Sequence, residues 1–186
     1  MPAHTHLLTP DDFKADEFLP GLATSEGRER LCDFIGRYEP RYFQQALGYA
    51  FYTLLKETLA EVTEQAPLPE RWKLLIEGGE WVDVAGQRHH FEGLKRAATG
   101  YVYYWTVRDT VTETTANGEM LHSPKDKKVV SPALKLARAM NESVELTAWV
   151  WFHLLWSVDS EGARLFPEWD MNYPRITDLA YIDPML

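Results

Sequence analysis

The stretch SPALKLARAMNESVELTAWVWFHLLW, residues 131–156, decides the fold class. Ser131-Pro132 reads as a helix start, because serine caps free N–H groups and proline tolerates the first helical position. From there Leu136, Met140, Val144, Ala148, Trp151 and Leu155 keep helical spacing over about seven turns. Gly162 is expected to end this helix. Its most apolar part, Leu146 to Trp156, falls far short of the ~20 residues that span a bilayer and is interrupted by Thr147 and His153.

Working outward, the same period recurs upstream. Leu31, Phe34, Ile35 and Tyr38 stand at i, i+3, i+4, i+7, with Asp33 and Arg37 as an i,i+4 pair on the outer side. Glu39-Pro40 is expected to break this helix and begin another, whose stripe is Phe43, Leu47, Phe51, Leu54 and Leu55, closed by Pro67 and Pro69. A short helix over Glu70 to Ile76 ends at Gly78-Gly79, and Leu94, Ala97, Ala98, Tyr101 and Trp105 mark a further one to about Arg108. Thr9-Pro10-Asp11-Asp12 opens a short helix at the acidic start of the chain, with Pro20-Gly21 as its stop.

Two segments change period. Trp81, Val82 and Val84 lead through Ala85-Gly86-Gln87 to Arg88–Phe91, a compact hairpin pattern. Thr110 to Thr115 followed by Asn117-Gly118 predicts a second hairpin, since Asn-Gly suits a type I′ turn. The Lys125-Asp126-Lys127-Lys128 run reads as an exposed loop. The fold class is thus mainly α: a helical bundle of about four to five helices with one or two small β-hairpins. Residues 1–162 form the helical domain, and 163–186 an extended C-terminal tail.

Composition excludes several functions. A net charge of −9 on 186 residues argues against a duplex nucleic-acid binder, although a locally basic face is compatible with it. The single cysteine, Cys32, forms neither an internal disulfide nor a Cys-rich zinc site. The opening MPAHTHLLTPDDF lacks the basic and apolar regions of a signal peptide, so a reducing cytoplasm is the expected place of synthesis.

Candidate chemistry is sparse. Neither a nucleophile elbow, a phosphate-binding glycine loop nor a zinc-protease helix motif occurs, and no catalytic residue, cofactor or metal is expected. His4 and His6 form an H-x-H pair at the terminus. His89 and His90 sit on the first hairpin, where neighbours point to opposite faces, so one is expected packed and the other solvated. His153 is expected as a satisfied core residue.

The aromatic clusters are the anomaly. Tyr101, Tyr103, Tyr104 and Trp105 occupy four of five successive helical positions, and a helix turning ~100° per residue cannot aim them all at one core. Trp149, Trp151, Phe152 and Trp156 raise the same problem. Tyr and Trp are enriched at protein interfaces, so a protein contact is favoured over a base- or sugar-stacking platform. The tail carries Phe166, Trp169, Tyr173 and Tyr181, which must lie against its own domain or a neighbouring chain.

Taken in order, these elements resemble a known family. They run Leu31-Cys-Asp-Phe-Ile-Gly-Arg-Tyr-Glu, then Tyr42 to Leu47-Gly48, then Trp72-Lys-Leu-Leu-Ile-Glu-Gly-Gly. A short hairpin, Phe91-Glu-Gly-Leu-Lys-Arg-Ala and Tyr101-Val-Tyr-Tyr-Trp follow. The Thr-rich turn at Asn117-Gly118, Ser131-Pro132 and a helix bearing Asn141 complete the series. Over about residues 26–156 this is similar to the small head–tail connector proteins (adaptors, or neck rings) of tailed bacteriophages.

The resemblance implies a structural virion protein with no catalytic residues. Its subunits, commonly twelve, would form a ring below the portal protein in the virion neck. That ring would extend the DNA channel without binding DNA specifically, dock the next neck or tail protein, and involve no membrane. Under this reading the partner-binding residues are Tyr103 and Tyr104, the hairpin tip Asn117 and Gly118, the loop lysines Lys125, Lys127 and Lys128, and the tail aromatics Phe166, Trp169, Tyr173 and Tyr181. Two other classes stand beside it: a small helical enzyme using His89 or His90 as general base, and a cellular protein-interaction module.

Overall fold

Small side chains let two helices meet closely, and the rest of the chain is arranged around that pair. The structure, a computed structural model, describes residues 6–14, 17, 19, 23–115, 118–121 and 133–170, with backbone alone for 111–121. Its helices are α1 (Ser25–Leu47), α2 (Tyr49–Ala60), α3 (Glu70–Glu77), α4 (Gly93–Val111) and α5 (Ala133–Trp156). Two antiparallel hairpins interrupt them, β1 (Gly79–Val82) with β2 (Arg88–Phe91) and β3 (Thr112–Thr115) with β4 (Gly118–Leu121). The chain is therefore mainly helical, as its periodicity implies.

The central pair is α4 and α5. Ala97 and Ala139 are buried between them, and Ser143 Oγ donates to the Ala97 carbonyl at 2.7 Å. A Cβ on Gly100 would meet the Ala139 carbonyl oxygen at 2.9 Å, so the approach depends on the missing side chain. Helix α1 joins both partners through Tyr42, which packs on Tyr101 and shares a 2.7 Å hydrogen bond with Thr147. Farther along, Trp151 Nε1 donates to the Ala46 carbonyl at 2.6 Å.

Three expectations are corrected. First, α1 passes straight through Pro40 and breaks at Gly48, whose φ of 81° suits glycine. An interior proline costs about 3 kcal/mol. Burial of Leu31 and Ile35 before it, and of Phe43, Ala46 and Leu47 after it, outweighs that cost. Second, α5 stops at Trp156, six residues before Gly162. There the chain joins the hairpin edge, with Val84 N donating to Trp156 O at 3.1 Å and Val158 N to Val82 O at 3.3 Å. Third, the short helix expected near the start is, among the described residues, a 3-10 turn at Pro10–Asp12 in which the Asp12 carboxylate accepts from Thr9 N at 2.7 Å. Pro20-Gly21 lies outside the described residues.

The N-terminal segment is held by a buried carboxylate. Glu39 Oε2 accepts from Leu8 N at 2.7 Å, and Oε1 from Leu7 N at 3.1 Å with His6 Nδ1 at 3.3 Å. Burial pushes the Glu39 pKa up, against the lowering effect of these N–H groups. Glu39→Ala leaves two backbone donors unpartnered, which costs about 1–3 kcal/mol for a buried group. Urea unfolding should show a loss in that range, and a variant as stable as the wild type would mean that the segment is not anchored there.

Candidate functional site

Some of the large apolar side chains in water lie together on α5 and the first hairpin; Tyr49, Val62 and Leu134 are exposed outside this group. Along α5, Trp149 is 41% and Trp156 45% exposed. Val144, Glu145, Ala148, Trp149 and Phe152 line a groove of about 340 Å³ on that helix. Phe152 connects the groove to the first hairpin by edge contacts with Trp81 (5.5 Å) and His89 (5.2 Å). Exposed Val82 and Val84 of the hairpin extend the face, tied to it by the Val84–Trp156 backbone bond. Helical geometry explains the split among the clustered aromatics: Trp151 turns inward to α1 while Trp149, two residues earlier, lies on the opposite side.

The second aromatic cluster resolves differently. Tyr101 and Tyr103 are buried, Tyr103 beneath the Lys135 ammonium at 5.2 Å. Tyr104 is half-buried, edge-on to Trp105 at 5.4 Å. Trp105 continues a ring stack on α1, with Tyr38 at 5.6 Å and Phe34 a further 6.2 Å on. Arg37 pairs with Asp109 at 3.6 Å rather than with Asp33, and Asp109 also accepts from the Tyr38 hydroxyl.

The tail residues are corrected. Phe166 has no exposed surface and packs on Trp72 at 5.4 Å and Phe51 at 5.9 Å. Trp169 is 7% exposed and donates its Nε1 to the Leu47 carbonyl at 3.2 Å. Both therefore belong to the chain's own core, because a turn at Asp159–Gly162 sends the backbone back against α1 and α3. Gly118 opens β4 opposite Thr115, so the two-residue connection is 116–117 rather than Asn117-Gly118. Asn117, Lys125, Lys127, Lys128, Tyr173 and Tyr181 lie outside the described residues.

The histidines fall where the hairpin reading puts them, with one exception. His90 is exposed; His89 is half-buried, its Nε2 2.9 Å from Asp83 Oδ2. The His89 bond is the first cause that lowers the Asp83 pKa. The same carboxylate accepts from Ala85 N and Gln87 N, which makes the pair an organiser of the β1–β2 turn. His153 is buried as expected but not satisfied. Neither ring nitrogen has a hydrogen-bond partner among the described residues, and the ring lies among Phe91, Trp81 and Phe166. Among the described residues no three His, Cys, Asp or Glu side chains gather as a metal site, and no helix is long and apolar enough to cross a membrane.

Comparison with protein-family models, curated proteins and solved structures finds no match for this chain.

Proposed function

We propose that the chain is a structural assembly subunit, a head–tail connector of a tailed phage that forms a ring below the portal in the virion neck. The observation that carries this reading is the uncovered apolar face of α5 and the first hairpin. Monomeric proteins rarely leave two tryptophans and their apolar neighbours together in water, and such faces mark protein contacts. The order of sequence elements supports the same assignment. In this role the protein positions other proteins and keeps a channel open, which asks for shape and contacts rather than a catalytic group or cofactor. DNA passes through the channel unbound.

The test is the mass of the chain in solution by light scattering, alone and mixed with a candidate portal. The expected result is uptake by the portal in a fixed multiple. Trp149→Ser/Trp156→Ser should keep the fold and weaken this uptake by about thirtyfold or more, since central tryptophans contribute ~2 kcal/mol or more at such contacts. Full uptake by the double variant would remove the α5 face from the assignment. A chain indifferent to every portal would remove the connector reading.

A further inference from the structure

The outward side of α5 is a stripe of defined length. Glu145, Trp149, Phe152 and Trp156 stand at i, i+4, i+7 and i+11, about 16 Å from end to end. Glu145 marks one end of it, exposed and without an ion-pair partner among the described residues. Farther up the same side, Glu142 is paired with Arg96, and Arg138 has an interaction of its own. The stripe is thus apolar, with one open carboxylate at its rim.

The described chain ends on the other side of that helix. Trp169 closes on the Leu47 carbonyl of α1, next to Ala46, which receives Trp151 from the inward side of α5. Residues 171–186 follow, MNYPRITDLAYIDPML, whose one cation is Arg175 and whose final part holds Leu179, Tyr181, Ile182, Met185 and Leu186. Fully extended, such a segment reaches about 50 Å. Crossing two helix diameters, about 22 Å, uses roughly its first seven residues and leaves the apolar part for a 16 Å stripe. Within one copy the body of α5 stands between this exit and the groove. A neighbour packed head to tail brings the two together.

We infer that residues 178–186 of one copy occupy the α5 groove of a neighbouring copy, with Arg175 at the groove's Glu145 end. Leu179, Ile182 and Met185 supply the apolar anchors for Trp149, Phe152 and Trp156, and the arginine answers the open carboxylate. The contact is heterologous, with different surfaces on its two sides, and such contacts close into rings. This inference rests on the assembly-subunit reading and names what covers its exposed face.

The experiment is disulfide trapping between full-length chains that carry Cys32→Ser, which removes the exposed native thiol. One chain has Ala148→Cys in the groove. The other, tagged so that its mass differs, has Leu179→Cys, Ile182→Cys or Met185→Cys. The two are mixed with and without a candidate portal and air-oxidised, and the linked heterodimer is measured on a denaturing gel. A disulfide needs Cα atoms within about 7 Å, so a link reports the contact itself. At least one of the three positions should link to Ala148→Cys about tenfold or more above its link to Glu57→Cys, exposed on α2, because a bound segment holds its thiol at a raised effective concentration. Trp149→Ser/Trp156→Ser in the groove chain should lower that yield at least about tenfold. Should Ala148→Cys fail to fold by circular dichroism, Val144→Cys takes its place in the groove. No link above the Glu57→Cys level from any position, with uptake by the portal intact, overturns the contact and leaves the assembly reading standing. A chain bearing both cysteines that closes on itself, while the mixture yields no heterodimer, overturns it in favour of the segment's own groove. A heterodimer without uptake by any portal keeps the contact and removes the connector reading. Neither link nor uptake removes both.

Discussion

Replacing Gly93 with alanine should destabilise the protein by at least about 3 kcal/mol, enough to leave much of it unfolded, since a side chain at positive φ and a backbone overlap act together. Gly93 has φ of 83°, and a Cβ there would lie 2.4 Å from Gly78 N and 2.6 Å from the Ile76 carbonyl oxygen. Gly78, with φ of 81°, is its counterpart: a Cβ on it would stand 2.4 Å from the Phe91 carbonyl oxygen. The end of α3 and the start of α4 cross here backbone to backbone, closing the neck of the first hairpin. Gly86 is the internal control. Its φ is 78°, but nothing lies within 4 Å of the Cβ position. Gly86→Ala should cost only the conformational part, about 1 kcal/mol. Equal urea midpoints for the two variants would mean that the crossing has slack.

Exchanging His153 for phenylalanine should stabilise the protein by about 1–2 kcal/mol at neutral pH, because it removes two buried polar atoms that lack partners. The larger effect appears in acid. Burial lowers the His153 pKa from 6.5 to about 4, so the folded ring stays neutral where the unfolded one takes up a proton. The unfolded state therefore binds more protons between these values, and stability falls as pH drops through that window. Near pH 4 the contribution reaches about 3 kcal/mol. Since other groups titrate in the same range, the readout is the gap between wild type and His153→Phe, which should widen from pH 7 to pH 4. A constant gap would show that the ring is already charged or solvated in the folded protein.

Local pattern was enough for the elements and not for their ends. The period of Leu94 to Trp105 required only that helix's own buried face; that of Leu136 to Leu155 located α5 but not its core side, which is Ala139, Met140, Ser143, Thr147, Val150 and Leu154, while Val144 and Ala148 line the exposed groove. Pro40 misled because the burial that carries α1 across it is made by elements distant in sequence, as where Tyr42 packs on Tyr101 and bonds Thr147. Gly162 misled for a similar reason, since the bonds that end α5 come from Val82 and Val84. The tail aromatics needed a partner, and sequence could not choose between the chain's own core and a neighbour; Phe51 and Trp72 supply the answer for Phe166.

The two ends of the described chain meet the same helix. Leu8 is bonded to Glu39 and Trp169 to Leu47, eight residues or about 12 Å apart on α1. A pull between whatever precedes residue 6 and whatever follows residue 170 therefore enters and leaves through about two turns of one rod. Helices α4 and α5 and both hairpins lie off that line of force. Tension that reaches the bundle from its two ends is short-circuited through α1, and the exposed face of α5 keeps its shape while the link beside it bears the strain.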